Sequence, residues 1–434
     1  MRGESLPTVS VIGLGYIGLP TAAIIARAGM PVRGVDVSQA VVDTINRGEI
    51  HIEEVDLDGL VRGVVQRGLL SAATEVAPAD VFVIAVPTPF ARDGQHTPDI
   101  SYVLAAAESV AAVLKPGDTV ILESTSPVGA TEAMRDLLAH KRPDLKLPGL
   151  ADGIPDISIA YCPERVLPGR ILQELTDNDR SIGGITPRCA RKALGFYKRF
   201  VRGACVTTDA RSAEMTKLVE NAYRDVNIAF ANELSIVADA MGLDVWEVIR
   251  LANRHPRVDI LTPGPGVGGH CIAVDPWFIV HGAPGHTPLI RTARTVNDAK
   301  IHHTIAQASA LAEAHPTSRI ACLGLAFKAN IDDFRESPAR LVAATLARRF
   351  GERVSIVEPY ARALPLEFTD TGAELVDLDA ALETCDVLVV LVDHDVFRSI
   401  PLAEREDKAV YDTRGIWPDQ PSRRSEAPAL RKAG

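Results

Sequence analysis

The segment SVIGLGYIGLPTAAIIARAGMPVRGVDVS, residues 10–38, constrains the fold more than any other part of the sequence. Its two β-branched runs flank a glycine turn and an apolar helical run, which predicts one βαβ unit. Within it, Gly13, Gly15 and Gly18 have the GxGxxG spacing. The first glycine permits a tight turn, the second lets a pyrophosphate approach the backbone, and the third lets helix and strand pack closely. The pattern predicts a dinucleotide-binding turn.

An acidic residue ends the second strand of this unit. Asp36 follows Gly18 by 18 residues, where an acid would hold the ribose hydroxyls of a dinucleotide. An acid would also repel the 2′-phosphate of NADP, so the position favours NAD. The alternative is that Asp36 caps the helix that follows it.

The rest of the chain alternates between strand-like and helical segments. DVFVIAVPTP at 80–89 and DTVILESTSPVG at 118–129 predict buried parallel strands with ligand loops at their carboxyl ends. Residues 209–251 predict long helices with a break at Gly242, and the region from 319 predicts a second α/β sheet. We therefore expect an α/β fold of two Rossmann-like doubly wound domains joined by a central helical region. The expected domains are 1–205, 206–312 and 313–434.

Composition excludes several classes of function. The 46 basic and 56 acidic residues give a net charge of −10, so no overall basic footprint for nucleic acid or anionic membrane exists. The start of the chain has no signal-peptide pattern, no apolar run is long enough for a membrane helix, and we expect a cytosolic protein.

The six cysteines form no CxxC pair, which argues against a zinc site and a disulfide framework. No metal is expected.

The stretch PGVGGHCIAVDPWFIV, residues 265–280, carries one of these cysteines behind a glycine-rich loop. Cys271 could be a nucleophile presented beside exposed backbone N–H groups, or a buried structural thiol, and the local sequence leaves both open. Asp275, immediately before Pro276, could orient a water or cap the apolar segment that follows. The other five cysteines are expected to be structural, with Cys162 the most suited to border a site.

Two further positions suit a reacting centre or a phosphate. Lys217 and Asn221 are four residues apart in EMTKLVEN, so both project from one helix face. They could supply a positive charge and a hydrogen bond at a reacting oxygen, or they could lie on a solvated face. In the second α/β region GLAFK has a single glycine, and Lys328 could serve as the counter-charge of a phosphate-bearing ligand.

Together these segments resemble the UDP-glucose/GDP-mannose dehydrogenases. The resemblance runs from about Val9 to Arg414 and is carried in order by GLGYIGLP, VPTP, ESTSPVGAT, YCPERVLPG, EMTKLVENAYRDVNIAFANEL, NRHPRV, PGPGVGGHCIAVDPWF, GLAFKANIDDFRESPA and DTRG. It implies an N-terminal Rossmann domain for NAD, a central helix that builds a homodimer, and a C-terminal domain that helps to hold a UDP-sugar. The implied reaction oxidises the C6 alcohol of the sugar to a carboxylate in two steps and consumes two NAD.

The resemblance also implies roles for individual residues. Cys271 would add to the aldehyde-level intermediate, Lys217 would exchange protons and stabilise oxyanions with Asn221 beside it, and Asp275 would activate the hydrolytic water. The implied catalytic residues are Cys271, Lys217, Asn221, Asp275, Thr125 and Glu164. The implied NAD contacts are Gly13, Gly15, Tyr16, Ile17, Gly18, Asp36, Thr88, Thr125 and Arg335. The implied substrate contacts are Arg165, Val166, Lys217, Asn221, Arg224, His255, Arg257, Gly268, Phe327, Lys328 and Arg414.

Substrate choice within the family depends on a few residues. CPER at 162–165 stands where many members have NPE, and His270 precedes Cys271 with DPWF after it. These features fit the branch that acts on UDP-N-acetyl-D-mannosamine better than the branch that acts on UDP-glucose. UDP-N-acetylglucosamine, UDP-glucose and GDP-mannose remain alternative substrates. A single-step hydroxyacid dehydrogenase and a non-catalytic NAD-binding protein are the alternatives from other classes.

Overall fold

Two Rossmann-like sheets dominate the structure, a computed structural model that describes residues 6–52, 54–150, 152–167, 169–269 and 272–418. The chain divides into two compact units. One is Met1–Glu220 with Trp277–Pro284, and the other is Asn221–Pro276 with Gly285–Gly434.

The first unit contains a sheet of eight strands among the described residues. They are β1 Val9–Ile12, β2 Val32–Val35, β3 Leu70–Ala73, β4 Val81–Ile84, β5 Thr119–Leu122, β6 Ser158–Tyr161, β7 Arg180–Gly184 and β8 Cys205–Asp209. Their spatial order is β3-β2-β1-β4-β5-β6-β7-β8, and every pair is parallel except β6 with β7. The strand order reverses next to β1, which pairs with both β2 and β4. Ligands of such sheets bind outside the carboxyl ends of the strands at this point.

Helices cover the first sheet and bury its central strands. They are α1 Gly18–Arg27, α2 Gln39–Asn46, α3 Leu57–Gln66, α4 Ser101–Ala111, α5 Ala130–Lys141, α6 Ile171–Asp177 and α7 Pro187–Tyr197. Strands β1, β4, β5 and β6 are buried along their whole length. Continuous burial is typical of parallel strands covered on both faces. The core therefore fixes the carboxyl ends of these strands, where the polar side chains begin.

The long helix predicted after residue 209 is α8, Ala210–Met241. It passes from the first unit into the second at Glu220 and Asn221. It ends where predicted, because Gly242 has a φ of +70°, a left-handed conformation that glycine adopts at little cost after a helix. Helices α9 Val245–Ala252, α10 Asp275–Gly282 and α11 Pro288–Ala314 follow. These helices form the central helical region.

The second unit contains a parallel sheet of five strands among the described residues. They are β9 Ile320–Leu323, β10 Val354–Val357, β11 Glu374–Leu375, β12 Val387–Val390 and β13 Ala409–Asp412, in the order β11-β10-β9-β12-β13. The remaining helices are α12 Pro338–Phe350, α13 Leu378–Thr384 and α14 Asp395–Arg398, with 3-10 turns at Gly351–Arg353, Leu366–Phe368 and Leu402–Glu404. Leu311 of α11 and Val342 of α12 pack on Ile320, Ile356 and Val389 of this sheet.

The predicted fold class is confirmed, since each unit contains a sheet that is parallel apart from the β6–β7 pair, and the chain between the two sheets is mainly helical. The domain bounds 1–205, 206–312 and 313–434 stay a prediction, as does the role of the central helices in a dimer. Within the described part of the chain, none of the helices combines the length and the apolar character needed to span a membrane.

Candidate active site

The turn between β1 and α1 has the geometry that its glycines predict. Gly13 has a φ of +88°, and a Cβ on it would lie 2.5 Å from the carbonyl oxygen of Ala85. A Cβ on Gly18 would lie 1.8 Å from the Gly13 oxygen, whereas nothing lies within 4 Å of a Cβ on Gly15. The N-cap of α1, Ile17, makes no side-chain capping bond, and no acid stands in the first turn. An open face at Gly15 beside an uncapped helix N-terminus fits a pyrophosphate of NAD.

Asp36 holds this turn in place. Its Oδ2 accepts a hydrogen bond from the backbone N–H of Leu14 at 3.0 Å, and its Oδ1 accepts from the N–H of Ser38 at 2.9 Å. Helix α2 is capped instead by the Ser38 hydroxyl, which accepts from the N–H of Val41. The alternative that Asp36 caps α2 is therefore wrong. The carboxylate is half-buried, and each oxygen keeps lone-pair capacity for a ribose hydroxyl.

The second sheet has a similar glycine turn braced by a carboxylate, but this turn is buried, since Ala326 is 1% exposed. Gly324 has a φ of +98°, and Glu358 accepts from the N–H of Leu325 at 2.6 Å and of Tyr360 at 3.0 Å. The ring of His394 lies 3.3 Å from the same carboxylate, and both side chains are buried. Burial raises the pKa of Glu358, but the bonds from His394 and the backbone outweigh it, and the pKa lies below its ordinary value. The second turn is thus shaped by the same kind of carboxylate.

The loops after β4 and β5 are joined by side-chain hydrogen bonds. The Thr88 hydroxyl donates to the carbonyl oxygen of Thr125 at 2.5 Å, and the Ser124 hydroxyl donates to the carbonyl of Val86 at 2.7 Å. Both loops leave the carboxyl edge of the first sheet next to the strand-order reversal. Thr88 and Thr125 are therefore brought together at the edge where the turn at Gly15 is open.

Lys217 lies inside the first unit instead of on a solvated helix face. Its side chain is 8% exposed, and Nζ donates to the backbone carbonyl of Glu164 at 2.9 Å, with the Glu164 carboxylate 3.5 Å away. The Glu164 carboxylate also accepts from the N–H of Val166 at 2.8 Å. Burying an ammonium is costly unless it is paired, so the contact fixes Lys217 relative to the loop after β6. The solvated alternative for Lys217 is wrong.

Arg165 and Val166 continue this loop. The Arg165 guanidinium donates to the Ser181 hydroxyl at 2.7 Å and lies 3.1 Å from the carboxylate of Glu220 on α8. The carbonyl of Arg165 accepts from the Asn178 amide at 2.7 Å. The half-buried guanidinium is thereby held from two elements of the first unit.

A buried ion pair that the sequence analysis missed lies beneath the same loop. Arg180 on β7 is 3.3 Å from Glu123, which directly follows β5, and the side chains are 5% and 0% exposed. Thr21 of α1 donates to Glu123 at 3.2 Å, and Arg180 approaches the Cys162 sulfur at 4.0 Å. Burial raises the pKa of Cys162 to about 11, so this thiol is structural and not reactive. Only the polar Glu123 inside the strand-ending ESTSP signals the pair in the sequence.

In the second unit, Asn221 and Asp275 are brought together. The Asn221 amide donates to the Asp275 carboxylate at 2.5 Å, and both residues are buried. Asp275 is the first residue of α10. A carboxylate that is fixed by an amide is suited to orienting a water, which agrees with the expectation for Asp275.

The glycines before residue 270 serve the packing of the second unit. A Cβ on Gly268 would lie 2.6 Å from the Glu336 oxygen and from Pro338, and 3.0 Å from Phe327. A Cβ on Gly266, which has a φ of +154°, would lie 2.5 Å from Ile301. These glycines were expected to let the backbone approach a ligand. The structure assigns them a further reason, because protein atoms already occupy the space that a side chain would take.

Phe327 is half-buried against this loop, whereas Lys328 is exposed. Arg414 is held by the carboxylate of Asp393, with Nη2 and Oδ1 2.9 Å apart, and a Cβ on Gly264 would lie 2.6 Å from its guanidinium. Phe327 and Arg414 are therefore near the loop that contains Gly268. Within the described part of the chain, the Lys328 side chain forms no hydrogen bond or ion pair.

The remaining predicted contacts are less enclosed. Arg335 forms a two-pronged ion pair with Asp333, at 2.8 and 2.6 Å, on the surface of the second unit. Arg224 on α8 is exposed, and His255 and Arg257 lie exposed after α9. Cys271 and His270 lie outside the described residues.

Three models of one family match the chain in order. They describe the UDP-glucose/GDP-mannose dehydrogenase family: its NAD binding domain matches residues 7–201, its central domain residues 211–299, and its UDP binding domain residues 321–419.

Individual proteins are similar over nearly the whole length. An NDP-N-acetyl-D-galactosaminuronic acid dehydrogenase from Ralstonia nicotianae is 56% identical over 410 residues, which cover 94% of this chain and 96% of that protein. A UDP-N-acetyl-D-mannosamine dehydrogenase from Salmonella typhi is 56% identical over 421 residues, covering 95% and 100%. The solved structure of a UDP-D-ManNAc dehydrogenase from Pyrococcus horikoshii superposes with a TM-score of 0.83 at 38% identity, covering 94% and 96%.

Proposed function

Because the chain belongs to the UDP-glucose/GDP-mannose dehydrogenase family, we propose that it oxidises C6 of UDP-N-acetyl-D-mannosamine to UDP-N-acetyl-D-mannosaminuronate. The chain is an NAD-dependent nucleotide-sugar dehydrogenase. The single observation that carries the proposal is the burial of Lys217, whose Nζ is held against the backbone carbonyl of Glu164. Lys217 lies on α8, the helix that also bears Asn221. A positioned lysine is one of the groups that can take the proton released when an alcohol is oxidised.

The proposed sugar is an N-acetylated hexosamine. The Salmonella relative is named for UDP-N-acetyl-D-mannosamine and the Ralstonia relative for NDP-N-acetyl-D-galactosaminuronic acid, at equal identity. Both names contain an N-acetylated hexose unit, which supports that class of substrate over UDP-glucose or GDP-mannose. The CPER segment and the His270–Cys271 pairing support the UDP-N-acetyl-D-mannosamine branch over the UDP-glucose branch.

Lys217 carries the acid–base work in this proposal. As a neutral amine, its fixed Nζ accepts the proton that the C6 alcohol loses, and the resulting ammonium stabilises oxygen anions and can return the proton. Asn221, one turn further on α8, adds a hydrogen bond to the same oxygen. Bound NAD supplies the hydride acceptor for both oxidations. Thr88, Thr125 and Arg335 are the proposed cofactor contacts beyond the turn at Gly13, Gly15, Tyr16, Ile17 and Gly18 and the carboxylate of Asp36.

Cys271 is the proposed nucleophile for the second oxidation. Its sulfur adds to the aldehyde carbon, which makes that carbon tetrahedral so that a hydride can leave. The thiohemiacetal becomes a thioester, and water cleaves the thioester to the carboxylate and the free thiol. Asp275, which Asn221 orients, activates this water, with Glu164 near the same centre.

The proposed UDP-sugar contacts are those that the family resemblance implies. They are Arg165, Val166, Lys217, Asn221, Arg224, His255, Arg257, Gly268, Phe327, Lys328 and Arg414. Several of them are cations in a chain of net charge −10, which supports an anionic ligand such as a pyrophosphate. The homodimer, the cytosolic location and the bounds of the three domains stay predictions.

The decisive experiment measures NADH release with a panel of nucleotide sugars. UDP-N-acetylmannosamine, UDP-N-acetylgalactosamine, UDP-N-acetylglucosamine, UDP-glucose and GDP-mannose are each oxidised to completion at limiting concentration. We expect the mannosamine sugar to react fastest and to release two NADH per molecule. One NADH per molecule would favour a single-step dehydrogenase, a faster reaction with another sugar would change the substrate, and binding without NADH would favour a non-catalytic protein.

A further inference from the structure

A chain of buried polar side chains connects α8 and α11 to the loop that leads to Cys271. Asp225 and Asn232 lie on α8, Arg294 and Asn297 lie on α11, and none of the four is more than 2% exposed. No role in the proposed reaction has been given to any of them. Buried polar groups are costly unless they are hydrogen-bonded, so the order of their bonds is informative.

The hydrogen bonds connect the ion pair of Arg294 and Asp225 to Asn297 and then to Asn232. Arg294 donates to the Asp225 carboxylate at 2.6 Å, and the Asn297 amide nitrogen donates to that carboxylate at 2.8 Å and to the Asp225 carbonyl at 3.0 Å. The Asn297 amide nitrogen is thereby turned toward Asp225, and its oxygen points away. That oxygen accepts from the Asn232 amide nitrogen at 2.9 Å.

The end of the chain meets the backbone of the glycine loop. With its nitrogen directed at Asn297, the Asn232 amide presents its oxygen to the N–H of Gly264, at 3.0 Å. The carboxylate and the backbone carbonyl of Asp225 both accept from Asn297, so together they set the orientation of both amides in turn. Gly264 therefore meets an acceptor oxygen of Asn232 instead of its NH₂ group.

The loop is also confined beyond this point. The Thr304 hydroxyl of α11 donates to the carbonyl of Pro265 at 3.3 Å, and Gly266 and Gly268 have no room for a Cβ. The backbone at Gly266 and Gly268 is therefore closely packed on both residues' Cβ sides. Residue 264 precedes Cys271 by seven positions, and on the far side Asn221 holds Asp275.

We propose that Asn232, oriented by Asn297 and Asp225, is a positioning residue that fixes Gly264, at the start of the loop that leads to Cys271, and thereby supports the reaction of Cys271. Asn221 bonds to Asp275, so two amides of one helix bond to residues on either side of Cys271 in the sequence. The inference rests on the proposed function of Cys271. A purely structural staple between α8 and α11 would lower stability and leave the thiol and the turnover of folded protein unchanged.

The test replaces Asn232 with leucine, which keeps the volume and removes both bonds. The matched control is Asn227→Leu on the same helix, where the side chain donates only to the carbonyl of Tyr223. Three quantities are measured on folded protein: kcat with the best sugar of the panel, KM for NAD, and the rate at which iodoacetamide modifies Cys271, followed by peptide mass spectrometry. The wild-type protein and both variants are compared.

We expect Asn232→Leu to lower kcat by about 10- to 100-fold, since small misplacements of a reacting group have effects of this size. KM for NAD should change less than about threefold, because the cofactor turn is in the other unit. The Cys271 modification rate should change at least about threefold, while Asn227→Leu matches the wild type in all three. Wild-type kcat and modification rate in Asn232→Leu would overturn the inference.

A second variant covers the case in which Asn232→Leu does not fold. Asn297→Leu removes the oxygen that accepts from the Asn232 amide and so frees that amide to turn over; the same two changes are expected, and wild-type values would again overturn the inference. If wild-type protein oxidises no sugar of the panel, the proposed function fails. The modification rates of Cys271 still decide whether the polar chain positions the loop.

Discussion

Lys217 Nζ donates a hydrogen bond to the backbone carbonyl of Glu164, and this contact joins α8 to the loop after β6 within the first unit. The backbone carbonyl oxygen of Glu164 thus accepts from the ammonium, while the Glu164 carboxylate accepts from the N–H of Val166. The ammonium is placed by the backbone of the loop, so its position does not depend on a charged partner alone.

Replacing Lys217 with methionine should remove the acid–base group and keep the volume of the side chain. We expect kcat to fall by about 10²- to 10⁴-fold, the usual contribution of a positioned proton-transfer group. NAD binding, measured by fluorescence titration, should stay within about twofold of wild type because the turn at Gly15 is untouched. Lys192→Met, at an exposed site on α7, is the control and should retain wild-type kcat. A Lys217→Met protein with more than about a tenth of wild-type activity would contradict the role.

Asn221 and Asp275 should act as one unit, because the amide donates directly to the carboxylate. Each single change to alanine should lower kcat, and the double change should cost little more than the worse single one. The coupling free energy from the double-mutant cycle should be about 1.5–3 kcal/mol, as for hydrogen bonds to a charged group. Single-turnover measurements would show that the slowed step is the hydrolysis of the thioester. Additive effects would mean that the two residues work independently.

The cofactor preference should depend on Asp36. In Asp36→Asn one carboxylate oxygen becomes an NH₂ group that faces a backbone N–H, either of Leu14 or of Ser38. We expect KM for NAD to rise by about tenfold or more and the preference for NAD over NADP to fall. Glu358→Gln makes the same chemical change in the second sheet and is the matched control. Equal KM values for NAD in wild type and Asp36→Asn would exclude the ribose role.

Glu358 should make the second unit sensitive to acid. Its pKa in the folded protein is below the ordinary 4.5, so its stabilisation is complete above that value and is lost as the pH falls through the folded pKa. At about pH 7, Glu358→Gln should lower the free energy of unfolding by about 1–3 kcal/mol. Urea unfolding at several pH values should show the gap between variant and wild type closing below about pH 4. A gap that is constant down to about pH 3 would contradict the assignment.

Much of the fold and part of the site could be predicted from local sequence. The turn at Gly13 and the end of α8 at Gly242 follow from backbone conformations that glycine adopts more readily than other residues. The pairing of Lys217 and Asn221 on one helix follows from helical periodicity. Their burial did not follow, because a lysine on a helix is usually solvated and only the loop after β6 decides otherwise.

The polar chain from Arg294 to Gly264 could not be predicted in the same way. Asp225 and Asn297 are 72 residues apart and Asn232 and Asn297 are 65 apart, so no local pattern connects them. A weaker signal exists on α8 itself, since Asn221, Asp225 and Asn232 recur at spacings of four and seven. Polar residues that follow the period of a buried helix face indicate a buried network. Their partners become visible only when α11 is placed beside them.

The two glycine turns have the same bracing carboxylate but differ in whether a ligand can reach them. Asp36 and Glu358 brace their turns by the same bonds, yet Gly15 leaves the first turn open, while Ala326 at the corresponding place in the second is 1% exposed. A strand, a glycine and a distant acid therefore indicate the backbone shape of such a turn. Whether the third position of the turn is accessible indicates whether a ligand can bind there. In chains of this kind, the residue two places after the first glycine should be inspected before a dinucleotide is assigned to either half.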